Sequence, residues 1–160
     1  MIIRHATTDD LDSVTLIETS SFNEKEAAKK EEIEERIRLD GSYFWLLDDN
    51  GEIIAFVQGF PTEAENLTDD MFHTAQKFNT NGGWLMLLSV AAHPLHRGKG
   101  FASMVMRRVI SDSREQCRKG IVLTCKEQLI PFYQKFGFQN EGRSGSEHGG
   151  AIWYQMRLTF

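Results

Sequence analysis

The topology of the chain follows from the segment Trp84–Arg108, which reads WLMLLSVAAHPLHRGKGFASMVMRR. Its first half, up to Ala92, is a nearly unbroken apolar run, which is typical of a strand buried on both faces. In its second half, apolar residues from Phe101 to Ile110 recur three to four positions apart, and this period predicts a helix with one buried side. The segment therefore predicts a strand, a turn and a helix in direct succession.

The predicted turn is basic and has glycine at positions 98 and 100. Glycine lets the backbone bend where a Cβ would clash and lets it approach a ligand closely. The first amides of the following helix have no intrahelical partners and lie at the positive end of its dipole. This combination predicts a cradle for a phosphate group, although a solvated turn with two chance glycines is the alternative.

Composition indicates an ordinary globular protein. The 160 residues, of which 41% are apolar and 26% charged, favour a single domain over residues 1–160. The net charge of −5 argues against nonspecific nucleic-acid binding and is compatible with a cationic substrate. We therefore expect a small-molecule amine partner rather than a nucleic acid.

The sequence also suggests a compartment. Met1–His5 lacks the long apolar region of a signal peptide, and the apolar run Leu85–Ala92 is far shorter than the ~20 residues that span a bilayer. Cys117 and Cys125 are interpreted as core residues in a reducing compartment rather than as a disulfide. We expect a cytoplasmic protein with no membrane partner.

The remaining pattern predicts short strands and helices on both sides of this segment. They are a strand over Ile2–Ala6, helices ending near Phe22 and over Glu24–Leu39, a hairpin over Tyr43–Phe60 with Asn50-Gly51 at its turn, a short helix over Asp69–Phe78, a strand over Ile121–Cys125, a helix over Gln128–Lys135, and strands over Phe138–Arg143 and Ala151–Leu158.

Several motifs resemble one family. Arg97–Ala102 (RGKGFA) resembles the Arg/Gln-x-x-Gly-x-Gly/Ala signature of the GNAT superfamily of N-acetyltransferases, and the element order is similar over nearly the whole chain. Leu123–Phe138 (LTCKEQLIPFYQKFGF) looks most like arylalkylamine (serotonin-type) N-acetyltransferases and their bacterial relatives, and Ser144–Tyr154 is similar to the bacterial branch. The resemblance implies an α/β (α+β) acyl-CoA N-acyltransferase fold, with a mixed, mostly antiparallel sheet of about seven strands and about four helices.

Acetyl-CoA is the co-substrate that the resemblance implies. Backbone groups of Val90 and Ala92 would pair with its pantetheine arm, and a strand amide near Val90 would stabilise the oxyanion. For Val90 and Ala92, plain core packing is the alternative. The pyrophosphate would be bound by the backbone amides of the turn, which are those of Arg97, Gly98, Lys99, Gly100, Phe101 and Ala102.

Tyr133 is the candidate catalytic side chain. In the arylalkylamine enzymes, the tyrosine of the matching segment is proposed to protonate the departing thiolate of coenzyme A. A phenol with a pKa of ~10 holds its proton at neutral pH and is chemically suited to this role. The alternative is that Tyr133 is a packing residue, because it also belongs to an apolar helical stripe with Leu129, Phe132 and Phe136.

The base that would deprotonate the amine is where the resemblance fails. The animal arylalkylamine enzymes have a His-x-His pair on the central strand, and Met86 and Leu88 stand at those positions here. Ordered water, His148 or Glu26 could act instead, or the amine could enter as the free base. His93 and His96 show no metal spacing and no carboxylate partner in the sequence, so we interpret them as loop residues and expect no metal.

The acceptor pocket is implied by the resemblance alone, between the first two helices and the loop that joins the last two strands. An aromatic wall with a carboxylate would suit a cationic arylalkylamine or polyamine. The candidate residues are Phe22, Glu24, Glu26, Phe72, His73, His148 and Trp153.

These observations predict an N-acetyltransferase that transfers the acetyl group of acetyl-CoA to a small primary amine by direct attack in a ternary complex. A catalytically silent acyl-CoA-binding regulator of the same fold is an alternative, as is a peptide or protein N-acetyltransferase. The frequent dimerisation of the family also leaves a homodimer open.

Overall fold

A computed structural model describes all residues from 1 to 160. Seven strands form one mixed sheet in the order β1-β2-β3-β4-β5-β7-β6. The strands are β1 Ile2–His5, β2 Phe44–Asp49, β3 Glu52–Thr62, β4 Trp84–Ala92, β5 Gly120–Cys125, β6 Gln139–Arg143 and β7 Tyr154–Thr159. The α-helices are α1 Leu11–Ser21, α2 Lys30–Asp40, α3 Phe101–Glu115 and α4 Ile130–Gln134. The predicted fold class is confirmed.

The strand pairings make the sheet mostly antiparallel. Strands β1 and β2, β2 and β3, β5 and β7, and β6 and β7 pair antiparallel, whereas β4 and β5 run parallel. The β2–β3 hairpin turns at Asn50 and Gly51, with φ of 52° and 93°. Positive φ at both central residues is the conformation that favours Asn-Gly in two-residue hairpins. The hairpin predicted from Asn50-Gly51 is therefore confirmed.

The chain divides into two compact units, residues 1–59 with 89–109 and residues 60–88 with 110–160. The single domain over residues 1–160 stays a prediction. The core of the first unit lies between α1, α2 and β1–β3, and its largest fully buried members include Ile17, Ile33, Phe44, Leu46 and Phe56. The second unit has a core cluster made of Phe60, Leu67, Met71, Trp84, Met86 and Val122. No helix is both long and apolar enough to cross a bilayer.

Two predicted helices are shorter than expected because polar side chains hold the backbone in turns. Helix α2 begins at Lys30 and not at Glu24, since the Asn23 side chain accepts hydrogen bonds from the amides of Lys25 and Glu26. The helix over Asp69–Phe78 is limited to a 3₁₀ turn at Asp69–Phe72, and the hydroxyl of Thr74 then accepts the amide of Gln76.

The prediction that both cysteines are core residues is half wrong. Cys125 is buried on β5, but Cys117 is exposed beyond the end of α3. Its φ is 60°, and the amide of Arg118 reaches back to the carbonyl of Ser113, which is the closing hydrogen bond of a Schellman motif. Glycine usually occupies this left-handed position, so a cysteine there does not indicate the end of a helix.

Candidate functional site

The end of β4 changes from a fully buried to a half-open strand. Trp84–Leu87 are buried, and beyond them Ser89 and Ala91 stay buried while Leu88, Val90 and Ala92 are half-buried. Because alternate residues share one face of a strand, these last three line a partly open face. Parallel pairing with β5 covers only Trp84–Met86, and Val90 and Ala92 lie beyond it. The role of Val90 and Ala92 toward a coenzyme stays a prediction, with core packing as the alternative.

The turn between β4 and α3 has the backbone geometry of an anion cradle. Gly98 has a φ of 76° and Gly100 a φ of 82°, a region that L side chains rarely adopt. A Cβ built at either position meets no heavy atom within 4 Å, so conformation and not crowding requires glycine here. The first α-helical hydrogen bond of α3 runs from the amide of Met104 to the carbonyl of Gly100, at 3.1 Å. The amides of Phe101 and Ala102 come before this bond and therefore have no partner within the helix.

The side chain of Arg97 fixes this turn to α1. Its Nη2 donates to the carbonyl of Ser20 at 2.9 Å and to the hydroxyl of Ser21 at 3.0 Å, and its Nε donates to the carbonyl of Ala92 at 3.3 Å. Helix α1 ends at Ser21, where a cation is also favoured by the helix dipole. The guanidinium thus positions the turn, and the backbone amides of the turn are the groups that could hold a phosphate.

His93 and His96, just before the turn, differ from our expectation. Both are half-buried, and His96 Nε2 lies 3.0 Å from Glu52 Oε1, so the statement that they have no carboxylate partner is wrong. Glu52 begins β3 and is 44 positions from His96 in the chain. The β2–β3 hairpin brings the carboxylate there, and no local sequence pattern encodes that contact.

Tyr133, on α4 in the second unit, is a buried residue with 6% of its surface exposed. Its ring makes edge-to-face contacts with Phe132 at 5.0 Å and Phe138 at 5.9 Å between centroids. Its carbonyl accepts the amides of Phe136 and Phe138 at the end of the helix. The ring thus packs as the helical stripe predicts, and the role of the Tyr133 hydroxyl as a catalytic acid stays a prediction.

Burial controls the protonation of this region. It raises the pKa of Tyr133 well above the usual range for a phenol, with a further contribution from the Cys125 thiol. Burial alone raises the pKa of Cys125 to about 11. Tyr133 therefore holds its proton at neutral pH. Desolvation thus disfavours both the tyrosinate and a thiolate in these surroundings.

Four aromatic side chains of the second unit form a cluster that we call the aromatic cluster: Phe72, His73, His148 and Trp153. The rings of Phe72 and His148 stack at 4.5 Å, and His148 lies 6.1 Å from His73 and 5.9 Å from Trp153. The indole of Trp153 donates to the carbonyl of His148 at 2.7 Å. Two predicted acceptor residues, His148 and Trp153, are thus brought together with the segment 72–73.

A carboxylate connects the two segments of this cluster. Asp69 accepts the hydroxyl of Ser146 and the amide of Glu147, the latter at 3.0 Å. Asp69 and Ser146 also line a cavity of about 480 Å³, together with Asn66, Thr68, Glu141 and Gln155. The lining is mainly polar and includes the carboxylates of Asp69 and Glu141 and the guanidinium of Arg143, and Glu141 is paired with Arg157 at 2.9 Å.

The other three predicted acceptor residues, Phe22, Glu24 and Glu26, lie in the first unit, in the connection between α1 and α2. Phe22 packs against the core of that unit, and Glu24 is exposed. Glu26 is 7% exposed, and its carboxylate accepts the side-chain amide of Asn23 at 3.0 Å. Phe22 and Glu26 therefore have structural contacts of their own, and the role of all three residues toward a substrate stays a prediction.

Sequence reasoning missed a buried polar group in the first unit. Glu18 is 3% exposed and accepts the amide of Ala28 at 2.8 Å, while Arg36 donates to Gln58, which is 2% exposed, at 3.0 Å. Burial lowers the pKa of Arg36, and the nearby carboxylates of Glu32 and Glu18 oppose that shift. Because Arg36 is one of many charged residues in α2, no local pattern in the sequence indicates that its side chain turns inward.

One protein-family model matches most of this chain. A model of the acetyltransferase (GNAT) family matches residues 11–138, which is most of the chain. The chain belongs to the GNAT family. A serotonin N-acetyltransferase from Mesocricetus auratus is 32% identical over 113 residues, which cover 69% of this chain and 53% of that protein. This GNAT chain thus spans about half the length of that curated relative.

Solved GNAT structures resemble the chain over its full length. The loading GNATL domain of CurA from Lyngbya majuscula superposes with a TM-score of 0.85 at 15% identity, covering 99% of this chain and 96% of that one. The PaiA N-acetyltransferase from Thermoplasma acidophilum, in complex with coenzyme A, gives 0.71 at 16% identity and covers 99% and 98%. At such identities these likenesses establish the fold.

Proposed function

We propose that this GNAT protein is an acetyl-CoA-dependent N-acetyltransferase acting on a small primary amine, an arylalkylamine or a polyamine. The observation on which the proposal rests is the turn at residues 97–102, where two glycines with positive φ and open space precede the first hydrogen bond of α3. The similarity to a serotonin N-acetyltransferase and to a protein in complex with coenzyme A supports it.

The donor would be bound mainly by backbone. The backbone amides at 97–102 would donate hydrogen bonds to the pyrophosphate oxygens, and the exposed Lys99 adds a positive charge beside them. Backbone groups of Val90 and Ala92, on the half-open end of β4, pair with the pantetheine arm as an added strand would. Acetyl-CoA supplies an activated acyl group, and the protein supplies alignment and hydrogen bonds.

The transfer step follows from these contacts. The amine nitrogen attacks the thioester carbonyl, and a β4 amide near Val90 stabilises the negative charge that develops on the carbonyl oxygen. Such a preorganised donor contributes about 10²–10³ in rate. As the carbon–sulphur bond breaks, the hydroxyl of Tyr133 donates its proton to the sulphur. The attacking nitrogen loses a proton as it becomes an amide, and a proton returned through water restores the Tyr133 hydroxyl.

The acceptor would bind in the second unit. A cationic or aromatic amine would contact the aromatic cluster, and the carboxylate of Asp69 in the neighbouring cavity would attract its charge. The amine proton leaves before attack, to water or to one of the candidates Glu26 and His148. A log-rate profile that is flat from about pH 6 to 9 would argue against both residues as bases.

Coenzyme binding and thiol release test the proposal. We expect calorimetry to detect saturable binding of acetyl-CoA by the purified chain, and a thiol-release screen to find turnover with at least one arylalkylamine or polyamine. Tight coenzyme binding without turnover on any amine would instead support a silent acyl-CoA-binding regulator. Turnover confined to peptides would support a peptide N-acetyltransferase, and no uptake of any CoA thioester would overturn the proposal.

Replacing Tyr133 by Phe tests the acid. We expect Tyr133→Phe to lower kcat by about tenfold or more and to leave the acetyl-CoA affinity unchanged, because the ring contacts remain and only the proton donor is lost. Tyr154→Phe, which removes the hydroxyl of a half-buried tyrosine on β7, is the matched control. Unchanged turnover in Tyr133→Phe would leave Tyr133 with the packing role alone.

A further inference from the structure

We propose that Glu52, His93 and His96 form a binding site for a divalent transition-metal ion such as Zn²⁺. One ligand atom of each residue lies within 4.8 Å of the others. Glu52 Oε1 and His96 Nε2 are 3.0 Å apart, and the two imidazole rings are 5.4 Å apart between centroids at an angle of 58°. Two imidazoles and a carboxylate thus converge on one point in the first unit.

The backbone holds the three ligands in place. Glu52 is the first residue of β3, where it pairs with Asp49 across the hairpin turn. His93 is tied to the same strand, because its amide donates to the carbonyl of Ile54 at 2.7 Å, and the amide of His96 donates to the carbonyl of His93 at 2.9 Å. The site is therefore built from two segments that backbone hydrogen bonds already join, which lowers the cost of assembling it.

The donor set indicates which ions would bind. Imidazole nitrogen is a ligand for Zn²⁺, Ni²⁺ and Cu²⁺, whereas Mg²⁺ and Ca²⁺ prefer oxygen alone. Three protein ligands leave at least one position for water or a small anion. A cavity of about 430 Å³ gives room for it, and Glu52 and His93 line that cavity together with Ser13, Leu16, Gly51 and Ile53.

Existing hydrogen bonds set an upper limit on the affinity. The ion would replace the contact between Glu52 and His96. His93 Nδ1 accepts the amide of Leu95 at 3.1 Å, so the ion must either displace that amide or take the other nitrogen after a tautomer change. We therefore expect micromolar affinity, weaker than that of a four-ligand structural zinc site.

The test is a titration of the full chain with Zn²⁺ alone. A Cys117→Ser background removes the exposed thiol, which could bind the ion elsewhere. We expect calorimetry to give one ion per chain, and a hundredfold excess over Kd to raise Tm by about 5–10 °C. Visible absorption of a Co²⁺ complex, without thiolate charge-transfer bands, would report nitrogen and oxygen ligands.

Ligand variants locate the ion. His93→Gln, His96→Gln and Glu52→Gln should each weaken Zn²⁺ binding by at least about tenfold. His5→Gln removes an exposed histidine on β1 of the same unit and should bind as the parent does. Only variants whose metal-free Tm matches the parent are compared, and three independent substitutions ensure that such variants exist.

The proposal is overturned by the absence of saturable Zn²⁺ binding, or by binding that survives both His93→Gln and His96→Gln. Loss of binding in His5→Gln would equally place the ion elsewhere. The calorimetric, Tm and absorption measurements of metal binding require neither coenzyme nor amine. A failed metal site and a failed acetyltransferase proposal are therefore distinguishable.

Discussion

The turn at residues 97–102 and the second-unit site of Tyr133 and the aromatic cluster are built in opposite ways. In the turn the proposed functional groups are backbone amides, and the conformation depends on Gly98 and Gly100, both exposed. In the second unit the proposed functional groups are side chains, and the cluster is assembled from residues as distant as Phe72 and Trp153. The first is a conformation of one short segment, and the second is a product of tertiary packing.

Because of this difference, the two regions tolerate different kinds of amino-acid substitution. A backbone cradle is insensitive to most side chains in it but fails when a residue prevents the required φ. A side-chain site is insensitive to local conformation but depends on each ring, hydroxyl and carboxylate. Substitutions matched across the two regions should therefore produce different kinds of loss, in coenzyme affinity for the turn and in turnover, amine affinity or pH dependence for the second unit.

The largest effect is expected for Gly100→Val. A β-branched residue is strongly disfavoured at a φ of 82°, so the backbone must rotate and its amides lose their alignment. We expect the acetyl-CoA affinity measured by calorimetry to fall on the order of 100-fold, which corresponds to about 2.7 kcal/mol.

Gly51→Val is the matched control for Gly100→Val. Gly51 has a φ of 93° and equally open surroundings, but it lies in the hairpin turn. We expect Gly51→Val to lower stability while coenzyme affinity stays near the parent value. Equal losses of affinity in both variants would show that general destabilisation, and not the cradle, explains the effect.

The second effect is a pH dependence of stability that originates in the second unit. Burial raises the pKa of Cys125 from 9.0 to about 11, so between these values the unfolded chain loses the thiol proton and the native chain retains it. The free energy of unfolding should therefore fall as pH rises through this range, by about 2–3 kcal/mol from this thiol. The raised pKa of Tyr133 adds to the fall from about pH 10 upward, where a tyrosine in the unfolded chain begins to lose its proton.

Urea unfolding at pH 8 and at pH 10.5 measures this dependence. Cys125→Ala should reduce the fall in stability between the two pH values, apart from a constant cost for the lost side chain. Cys117→Ala, which removes an exposed thiol, should leave the fall as it is in the parent. A fall of the same size in Cys125→Ala would show that other groups cause it.

How much the sequence predicts follows the same division. Strand β4, the two-glycine turn and the hairpin at Asn50-Gly51 are encoded by local signals, namely an apolar run, a change of period and an Asn-Gly pair, and the structure contains all three elements. The prediction of a helix over Asp69–Phe78 was wrong because polar side chains there form hydrogen bonds with the nearby backbone. Helix propensity does not account for this competition.

Contacts between distant segments could not be predicted. The carboxylate of Glu52 beside His96 and the inward-turned Arg36 have no local signature, since each depends on which face of an element packs inward. The family resemblance predicts each member of the aromatic cluster as an acceptor residue, but it does not predict that their rings contact one another. Only the structure shows those contacts.

A smaller effect is expected for Trp153→Leu in the aromatic cluster. The substitution removes the ring that lies 5.9 Å from His148 and the hydrogen bond to the His148 carbonyl. We expect KM for the preferred amine to rise by about tenfold and the acetyl-CoA affinity to stay unchanged, since an aromatic–cation contact is worth about 1–2 kcal/mol. Trp153→Phe should recover part of the loss, whereas an unchanged KM would exclude the cluster as the acceptor site.

The smallest effects distinguish two basic residues of the turn, Arg97 and Lys99. Arg97 donates to α1 and to Ala92, so Arg97→Gln should lower stability by about 1 kcal/mol and weaken acetyl-CoA binding by about threefold through a less well-held turn. Lys99 is exposed, and Lys99→Gln should weaken coenzyme binding to a similar degree without a change in stability.

Ionic strength then separates a positioning residue from a charge that faces phosphate, because only the second is screened. The salt dependence of acetyl-CoA binding should therefore become shallower in Lys99→Gln and stay as steep as in the parent in Arg97→Gln. If Arg97→Gln flattens it equally, the guanidinium leaves Ser20 and Ser21 to meet the phosphates, and the turn is not a site of backbone groups alone.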